Sequence, residues 1–294
     1  MFNTLQRATT MSKLSNKMND DMLLHGFSFN TRKSYITSIR RMAKYYNRSP
    51  DQISNDEIQQ YLLHLLKDKK FSYSTCNCLV SALKFFYEKT LGLSRASICI
   101  PIVKQPQKLP EVPTRQEIQQ LFSAAHDVKC RVILMLAYGA GLRVSEIANL
   151  KISNIDSEQM CIKIEQSKGQ KDRYTLLPPS LLIELRQYWK TYHPKTWLFS
   201  LVDGTEPITT PAIRRIWKQI KKKANLQKCG GIHGLRHAFA THMLEDGVDL
   251  YTIKQLLGHS SIRTTTRYLR LTKLRMAETP SPIDSLILTK LPKP

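Results

Sequence analysis

The 294-residue chain lacks an uninterrupted apolar stretch long enough to cross a bilayer, which argues against a membrane-spanning protein. The segment Met1–Asn19 is polar and lacks the apolar core of a secretion signal. The six cysteines are scattered and form no CxxC pair, so neither a zinc framework nor a disulfide framework is indicated. We therefore expect reduced thiols and a cytoplasmic protein.

Acidic residues are also scarce, with 23 Asp and Glu against 45 Lys and Arg, which gives a net charge of +22. A surplus of this size repels itself unless a polyanion binds to it. DNA or RNA is the first candidate, which would associate the protein with the nucleoid, and such binding should weaken steeply with salt. The charge alone leaves an anionic membrane surface open as the alternative.

Residues 1–103 carry apolar side chains at helical spacing, interrupted by residues typical of helix N-caps. The predicted helices cover residues 12–25 and 31–47, and two more begin at Ser54 and Ser72. Ser54 and Glu57 form a capping-box pattern. We predict a compact four-helix module, although any small helical bundle would show the same pattern. Basic residues on the second helix are predicted to contact DNA: Arg32, Lys33, Arg40, Arg41 and Lys44.

Four prolines between residues 101 and 113 can neither continue a helix nor join a central strand, so residues 104–113 are predicted to be an extended linker. A second domain is expected over residues 114–279, followed by a tail, 280–294. Alternation around a Gly-containing turn in residues 152–177 predicts a small antiparallel sheet. Helices are predicted at 114–125, 131–138, 145–150, 180–192, 210–224, 235–245, 250–257 and 264–271. The expected fold class is mainly α with a small antiparallel β-sheet.

A group of residues in the second domain has the chemistry to hold and attack a phosphate. His233 and Arg236 are three residues apart at the start of a predicted helix, where free amides and the helix dipole favour an anion. His259 and Tyr268 follow, and Arg143 lies upstream. Taken singly, each has a commoner structural explanation. Together, two fixed cations can hold one phosphate and the tyrosine can attack it.

Four segments carry a family resemblance. They read Gly-Leu-Arg-Val-Ser-Glu over 141–146, Ser-Lys-Gly-Gln-Lys-Asp-Arg over 167–173, His-Gly-Leu-Arg-His-Ala-Phe-Ala-Thr-His over 233–242, and Leu-Leu-Gly-His-Ser-Ser-Ile-Arg-Thr-Thr-Thr-Arg-Tyr over 256–268. In order and spacing they resemble the tyrosine recombinase (phage integrase) family, and the resemblance covers nearly the whole chain. Residues 1–103 then resemble the family's helical core-binding domain and 114–279 its catalytic domain.

The resemblance is strongest to Xer-like recombinases and to integrases of integrons or other mobile elements. The tail segment Ser281–Leu286 resembles the end of integron integrases. The insertion that integron integrases carry before the His-x-x-Arg motif is missing, because only a short stretch separates Trp197 from His233. This departure favours an integrase of another mobile element.

The resemblance implies a metal-free and ATP-free strand transfer in which Tyr268 is the nucleophile. Its attack on the scissile phosphate would form a 3′-phosphotyrosine and release a 5′-hydroxyl. Arg143 and Arg236 would clamp the two non-bridging oxygens, where negative charge builds up. The covalent bond would conserve the phosphodiester energy for religation.

Further residues receive supporting roles from the same resemblance. Lys168 would protonate the leaving 5′-oxygen, with Lys171 as the alternative. His233 would assist proton movement at the tyrosine, and His259 would hydrogen-bond the phosphate. Glu146 would orient the site.

The remaining histidines and lysines lead to two further expectations. His237 and His242 are five residues apart without a Glu beside His237, which argues against a zinc-binding HExxH motif. His237 is instead predicted to support the helix. Residues expected to track DNA phosphates are Lys171, Arg173, Lys218, Lys221 and Lys222; a merely solvated helix face is the alternative for the lysines at 218–222.

The sequence therefore predicts a site-specific DNA recombinase, with two domains forming a C-shaped clamp around duplex DNA. The apolar tail is expected to dock on a neighbouring protomer and so build a tetramer on two DNA sites. A partner recombinase or an accessory DNA-bending protein would be compatible with this activity. The alternatives are Xer-type chromosome dimer resolution, a type IB topoisomerase, and a catalytically silent DNA-binding protein.

Overall fold

The computed structural model describes residues 2–94, 111–165, 172–201, 204–226 and 230–270. The chain divides into two compact units, Met1–Gln107 and Lys108–Pro294. Most of the predicted linker, the two lysines at 168 and 171, and the tail 280–294 lie outside the described residues.

The described residues of the first unit, 2–94, form four α-helices: α1 (Phe2–Leu24), α2 (Phe29–Tyr46), α3 (Asn55–Lys67) and α4 (Tyr73–Phe85), the last continued by a π-helical turn, Phe86–Thr90. The predicted four-helix module is thereby confirmed. At the starts of α2, α3 and α4, a serine hydroxyl accepts a hydrogen bond from a backbone N–H group. The capping box of Ser54 and Glu57 is formed. The bundle closes over a core that includes Met18, Met42 and Leu83.

The basic residues of α2 lie on its outer side. Lys33, Arg40, Arg41 and Lys44 are exposed, whereas Arg32 is partly buried and donates a hydrogen bond of 2.9 Å to the Asn19 side chain. The opposite side of α2 buries Ile39, Met42 and Ala43 in the core. The helix is therefore amphipathic, with its positive charge facing solvent.

In its described residues, the second unit consists mainly of helices with one small sheet. Its helices are α5 (Arg115–Ala124), α6 (Val128–Gly139), α7 (Val144–Ala148), α8 (Pro179–Tyr192), α9 (Thr210–Lys223), α10 (His233–Glu245), α11 (Leu250–Leu257) and α12 (Ile262–Thr265). Helix α6 buries Val132, Ile133, Leu134, Leu136 and Ala137, which places it in the middle of the core. The predicted helix at 264–271 is corrected: α12 ends at Thr265, and Thr266–Arg270 is a 3₁₀ segment.

The predicted small sheet is confirmed as three antiparallel strands in the order β1 (Ile155–Asp156), β2 (Cys161–Ile164) and β3 (Arg173–Leu176). On β3 the usual arrangement is reversed, because the charged and hydroxyl side chains are buried and the larger apolar ones are exposed. Arg173 and Thr175 point into the protein, whereas Tyr174 and Leu176 are exposed. Thr175 donates a hydrogen bond of 2.8 Å to the Ala140 carbonyl, so this buried polar group is satisfied. The sheet thus packs on the turn that leads into α7.

Candidate active site

Two turns with left-handed glycines and the start of α10 bring the motif residues together. Gly141 (φ +63°) precedes Arg143, and Gly258 (φ +62°) ends α11 just before His259. A Cβ on Gly141 would lie 2.6 Å from a ring carbon of Phe239. A side chain is therefore excluded there both by the backbone conformation and by the close packing of α10.

Arg236 ties these turns together from the first turn of α10. It is 1% exposed, and its guanidinium donates hydrogen bonds to the carbonyls of Gly141 and Leu257. Burial and the nearby Arg143 lower the pKa of Arg236 to about 9, which still leaves it charged at neutral pH. The site therefore contains a fixed, buried positive charge.

Glu146 supplies the counter-charge for this arginine and two others. Its carboxylate accepts hydrogen bonds of 2.8 Å from the Arg143 backbone N–H and 2.6 Å from the Arg143 guanidinium. Arg173 donates two more, both 2.8 Å, and Arg236 Nη1 lies 3.7 Å from the carboxylate. Burial alone would raise the pKa of Glu146, but the hydrogen bonds and charge of Arg173, followed by those of Arg143, lower it to about 2. Glu146 therefore lies within hydrogen-bond or ion-pair distance of three arginine side chains.

Arg173 requires a correction, because it was predicted to contact DNA. It is 9% exposed, binds Glu146 with both Nη atoms, and donates from Nε to the Leu256 carbonyl at 2.9 Å. Its inward direction follows from the alternation of β3. A buried guanidinium that makes these three hydrogen bonds to two partners joins α7 to the end of α11 inside the protein, so it is not placed on the surface for a DNA backbone.

Tyr268 lies at the edge of the same cluster, and its hydroxyl is 3.0 Å from Nδ1 of His237. The tyrosine is 3% exposed, and burial raises the pKa of its phenol, although Arg236, Arg267 and Arg143 oppose this. The expectation that His237 only supports the helix is therefore wrong. A signal in the sequence could have indicated this, because His233 and His237 are four residues apart and share one helix face.

The rings of His233 and His259 lie next to His237 and Tyr268, respectively. The rings of His233 and His237 meet edge to face with centroids 4.6 Å apart. The His259 ring lies nearly parallel to that of Tyr268, with centroids 6.4 Å apart, and His259 Nδ1 is 3.0 Å from the Thr265 hydroxyl. Burial and Arg236 lower the pKa of His259 to about 3, and burial and His233 lower that of His237 to about 4. Both rings are consequently neutral at physiological pH.

These residues enclose a polar cavity of about 210 Å³. Its lining consists of Arg143, His233, Arg236, His237, Gly258, His259, Ser260, Thr264, Arg267 and Tyr268. Five of the predicted catalytic residues thus meet at one cavity, and Lys168 lies outside the described residues. Arg267, which the sequence analysis passed over although it precedes the tyrosine, adds an exposed cation to the lining. Guanidinium and imidazole groups around one small cavity suit an anion such as a phosphodiester.

The predicted DNA contacts on α9 lie on its outer face. Lys218 and Lys222 are exposed and Lys221 is partly buried, while Ile213, Trp217 and Ile220 of the same helix enter the core. Among the described residues, no group of three or more His, Cys, Asp or Glu side chains is placed to hold a metal ion. Within that part of the chain, no helix is both long and apolar enough to span a membrane.

This mainly helical unit places a buried tyrosine beside arginines and neutral histidines, and these are groups suited to phosphoryl transfer through a tyrosine. Residues 111–275 match the phage integrase family, and residues 14–95 match the N-terminal SAM-like domain of phage integrases. The chain belongs to this family, the tyrosine recombinases, which cleave and rejoin DNA strands. The resemblance inferred from the four motifs is confirmed.

Two relatives extend over most of the chain. The protein is 39% identical over 277 residues to a Sinorhizobium fredii protein named integrase/recombinase y4qK, covering 94% of this chain and 90% of that one. It is 32% identical over 258 residues to the tyrosine recombinase XerA of Pyrococcus horikoshii, covering 87% of this chain and 88% of XerA.

Solved structures show the same architecture. A crystal structure of XerA recombinase aligns with a TM-score of 0.52 and 31% identity, covering 90% of this chain and 95% of that chain. A lambda integrase tetramer bound to a Holliday junction aligns with a TM-score of 0.72 and 18% identity, covering 87% of this chain and 76% of that one. At the latter identity the likeness concerns the fold alone.

Proposed function

We propose that this recombinase integrates or excises a mobile element, using Tyr268 as the nucleophile at a scissile phosphate. The observation that carries the assignment of the nucleophile is the Tyr268 hydroxyl, 3.0 Å from a neutral imidazole and beside a cavity lined by Arg143 and Arg236. The identity to an integrase/recombinase over 94% of the chain supports the mobile-element role. Xer-type dimer resolution is the second candidate, because XerA is similar over nearly as much of the chain.

The two arginines bind the non-bridging phosphate oxygens in this mechanism. A guanidinium has five N–H donors, so Arg236 retains donors for an oxyanion after bonding two backbone carbonyls. Glu146 holds Arg143 by its backbone and its guanidinium, which fixes the second cation before DNA arrives. Positive charge that is already in place stabilises the transition state without reorganisation.

Proton transfer and phosphate binding involve further residues. Lys168 protonates the leaving 5′-oxygen, with Lys171 as the alternative, on the strength of the motif alone. His259 donates a hydrogen bond to the phosphate from the ring nitrogen that does not face Thr265. Because arginines supply the charge and the phosphotyrosine conserves the bond energy, the reaction uses neither a metal nor ATP. Adduct formation should consequently persist in a chelator.

The exposed residues of α2 and α9 would bind the DNA backbone, and four protomers would assemble on two sites. The structural neighbour that is a tetramer on a Holliday junction supports this assembly. The tail, 280–294, would dock on an adjacent protomer. Deleting it should abolish pairing of two sites while sparing binding to one site, and unimpaired pairing would contradict this role. Acting on DNA in this way, the protein would associate with the nucleoid in the cytoplasm.

Trapping of the covalent intermediate tests the assignment. Purified full-length protein is incubated with a library of randomised duplexes that carry a nick, so that the cleaved short strand diffuses away. Denatured protein–DNA adducts are then isolated and sequenced. The wild type should yield adducts with a common sequence, and Tyr268→Phe should yield none. Wild-type protein that binds DNA but forms no adduct would favour a catalytically silent binder.

Two copies of the recovered sequence separate the remaining alternatives. Exchange between sites on separate DNA molecules supports integration, whereas exchange restricted to direct repeats on one circle supports Xer-type resolution. Relaxation of supercoils without any exchange would instead indicate a topoisomerase.

A further inference from the structure

We propose that Arg267 binds the DNA phosphate immediately 5′ of the scissile phosphate, on the strand that stays attached to the protein. This inference rests on the proposed nucleophilic role of Tyr268. It adds a contact beyond the proposed mechanism, which uses Arg143 and Arg236 for the scissile phosphate itself. Arg267 precedes the tyrosine on the 3₁₀ segment Thr266–Arg270, so a phosphate held by Arg267 would position the attacking residue.

Arg267 lies at the opening of the cavity. It lines the cavity together with Arg236, but it is exposed to solvent, whereas Arg236 is 1% exposed. Burial raises the pKa of the Tyr268 phenol, and Arg236 and Arg267 oppose this rise, so both cations lie close to the nucleophile. A DNA strand whose scissile phosphate reaches the inner arginines would therefore pass Arg267 where it leaves the cavity.

The charges around the cavity exceed what the scissile phosphate requires. Arg143, Arg173 and Arg236 share the single carboxylate of Glu146, so these four side chains carry two net positive charges. The three histidines of the lining have lowered pKa values and add no charge at neutral pH. A phosphodiester carries one negative charge and the attacking oxygen brings at most one more, which the buried cluster already matches.

Arg267 is the positive charge in excess. Its side chain makes no hydrogen bond or ion pair with any of the described residues, and the described lining of the cavity contains no Asp or Glu. A guanidinium in this state keeps all of its donors for an external acceptor, and a phosphate offers two oxygens to it. The extra cation therefore suits a second phosphate of the same strand.

In-line attack places Arg267 on the retained side of the cleavage point. The nucleophile and the leaving group lie on opposite sides of phosphorus, so the 5′-oxygen departs on the side away from Tyr268. The 3′-oxygen stays bonded to phosphorus and lies between these two ends. A residue next to the nucleophile is therefore closer to the nucleotide on the 3′-oxygen, and the next phosphate beyond that nucleotide is the one 5′ of the scissile phosphate.

Two hydroxyl groups accompany Arg267 at the exposed part of the lining. Ser260 and Thr264 are also exposed and line the same cavity. Hydroxyl and guanidinium groups bind phosphate oxygens without distinguishing between bases. The surface around the opening is thus suited to the DNA backbone, and we expect Arg267 to act on every sequence that the protein cleaves.

The contact would last through the covalent intermediate. The strand 5′ of the cleavage point remains joined to Tyr268 as the 3′-phosphotyrosine, so Arg267 would continue to hold it after the 5′-hydroxyl end has left. The retained end would thereby stay in place for religation.

Single-turnover cleavage of a nicked duplex carrying the recovered site tests the contact. One substrate has a neutral methylphosphonate in place of the phosphate 5′ of the scissile one. Wild-type cleavage of this substrate should be about 10- to 100-fold slower, the usual worth of a charged hydrogen bond. Arg267→Gln should slow cleavage of the unmodified duplex by a similar factor. Combining the two changes should cost no more than about threefold beyond either alone, because they remove the same interaction.

Two variants and a second substrate serve as controls. Arg263→Gln removes an exposed arginine of α12 that does not line the cavity, so it should cleave within about threefold of the wild type and keep its sensitivity to the methylphosphonate. Arg267→Lys retains the positive charge and should recover part of both the rate and the sensitivity. A methylphosphonate at the phosphate 3′ of the scissile one should slow the wild type and Arg267→Gln by the same factor.

The outcomes separate this inference from the proposal beneath it. Losses that multiply when Arg267→Gln meets the 5′ methylphosphonate would overturn the contact, as would wild-type rates with either change alone. Non-additivity at the scissile phosphate or at the 3′ phosphate would place Arg267 on another group and equally contradict the assignment. None of these results would affect Tyr268 as nucleophile, whereas adduct formation that survives Tyr268→Phe would overturn the proposed nucleophile itself.

Discussion

Arg173 and Glu146 form a buried ion pair in which each Nη atom of the arginine donates a hydrogen bond of 2.8 Å to a different carboxylate oxygen. The same arginine bonds the Leu256 carbonyl through Nε at 2.9 Å. Strand β3 is thereby joined to α7, which follows Arg143, and to the end of α11, which precedes His259. The placement of two catalytic candidates thus depends on one guanidinium that lies outside the cavity lining.

Replacing Glu146 should destabilise the protein because it removes the counter-charge of a buried cluster. Glu146→Gln preserves the shape of the side chain but removes the carboxylate that Arg143, Arg173 and Arg236 share. Breaking one partner out of a buried ion pair costs about 3–5 kcal/mol, and we expect a loss of about 3 kcal/mol in the free energy of unfolding. Urea unfolding of the full-length protein measures it.

The control for this prediction is Glu165→Gln. That carboxylate is solvent-exposed and pairs with Lys151 at 3.0 Å, so its removal should have a much smaller effect. Equal losses in the two variants would contradict the importance assigned to the buried cluster.

The stability supplied by Glu146 should also depend on pH. Its pKa is lowered from 4.5 to about 2 in the folded protein, so the ionised form is stabilised. The contribution, about 3 kcal/mol, is complete above the unfolded pKa and is lost as pH falls from about 4.5 towards 2. Urea unfolding at pH 6 and pH 3 should show the advantage of the wild type over Glu146→Gln shrinking by roughly half. An advantage of the same size at both pH values would argue against a depressed pKa.

Gly258→Ala should disturb the site through Arg173. Gly258 has φ +62°, and a Cβ there would lie 2.6 Å from Cδ and 3.1 Å from Nε of Arg173. The arginine must move, which should weaken its bonds to Glu146 and to the Leu256 carbonyl. We expect cleavage in single-turnover adduct assays to fall by at least about tenfold, because misplaced catalytic groups are costly.

Gly247→Ala is the matched control, because Gly247 also has positive φ (+87°) but has open space around its Cβ position. Its loss of stability should be limited to about 1–2 kcal/mol of left-handed backbone strain, with cleavage intact. If the two alanine variants cleave equally well, contact with Arg173 is not what requires glycine at 258.

Helix α9 provides a test of DNA backbone binding. Lys218→Ala and Lys222→Ala should each reduce the slope of log affinity against log salt concentration by about 1 on a non-specific duplex. Lys190→Ala, which removes an exposed lysine from α8, should leave the slope unchanged. Unchanged slopes in all three variants would mean that the α9 lysines form only a solvated face.

Local patterns predicted much of the architecture. Apolar residues at helical spacing and the capping pair of Ser54 and Glu57 indicated the four-helix module, because these interactions span only three or four residues. The same holds for His233 and Arg236, whose spacing alone places them on one side of a helix. The position of α10 relative to the turn at Gly141 could not be obtained in this way, since it depends on packing against Phe239.

Strand β3 shows why alternation of polar and apolar residues can predict the wrong buried face of a strand. In Arg-Tyr-Thr-Leu over 173–176, the apolar residues would ordinarily face the core. The structure buries Arg173 and Thr175 instead, because each finds a partner there: Glu146 for the arginine and the Ala140 carbonyl for the threonine. A buried polar group is tolerated only when it is satisfied, and those partners lie 27 and 35 residues away in the chain.

The sequence by itself determined the family, the two-part helical architecture and the residues able to bind and attack a phosphate, because these follow from residue type and short spacing. Only the tertiary structure decided that Arg173 is buried behind the cavity on Glu146 and that His237 meets Tyr268. The histidine and the tyrosine are 31 residues apart, and their 3.0 Å contact depends on how α11, α12 and the 3₁₀ segment fold back onto α10. Long-range packing of this kind leaves no periodic signature in the chain.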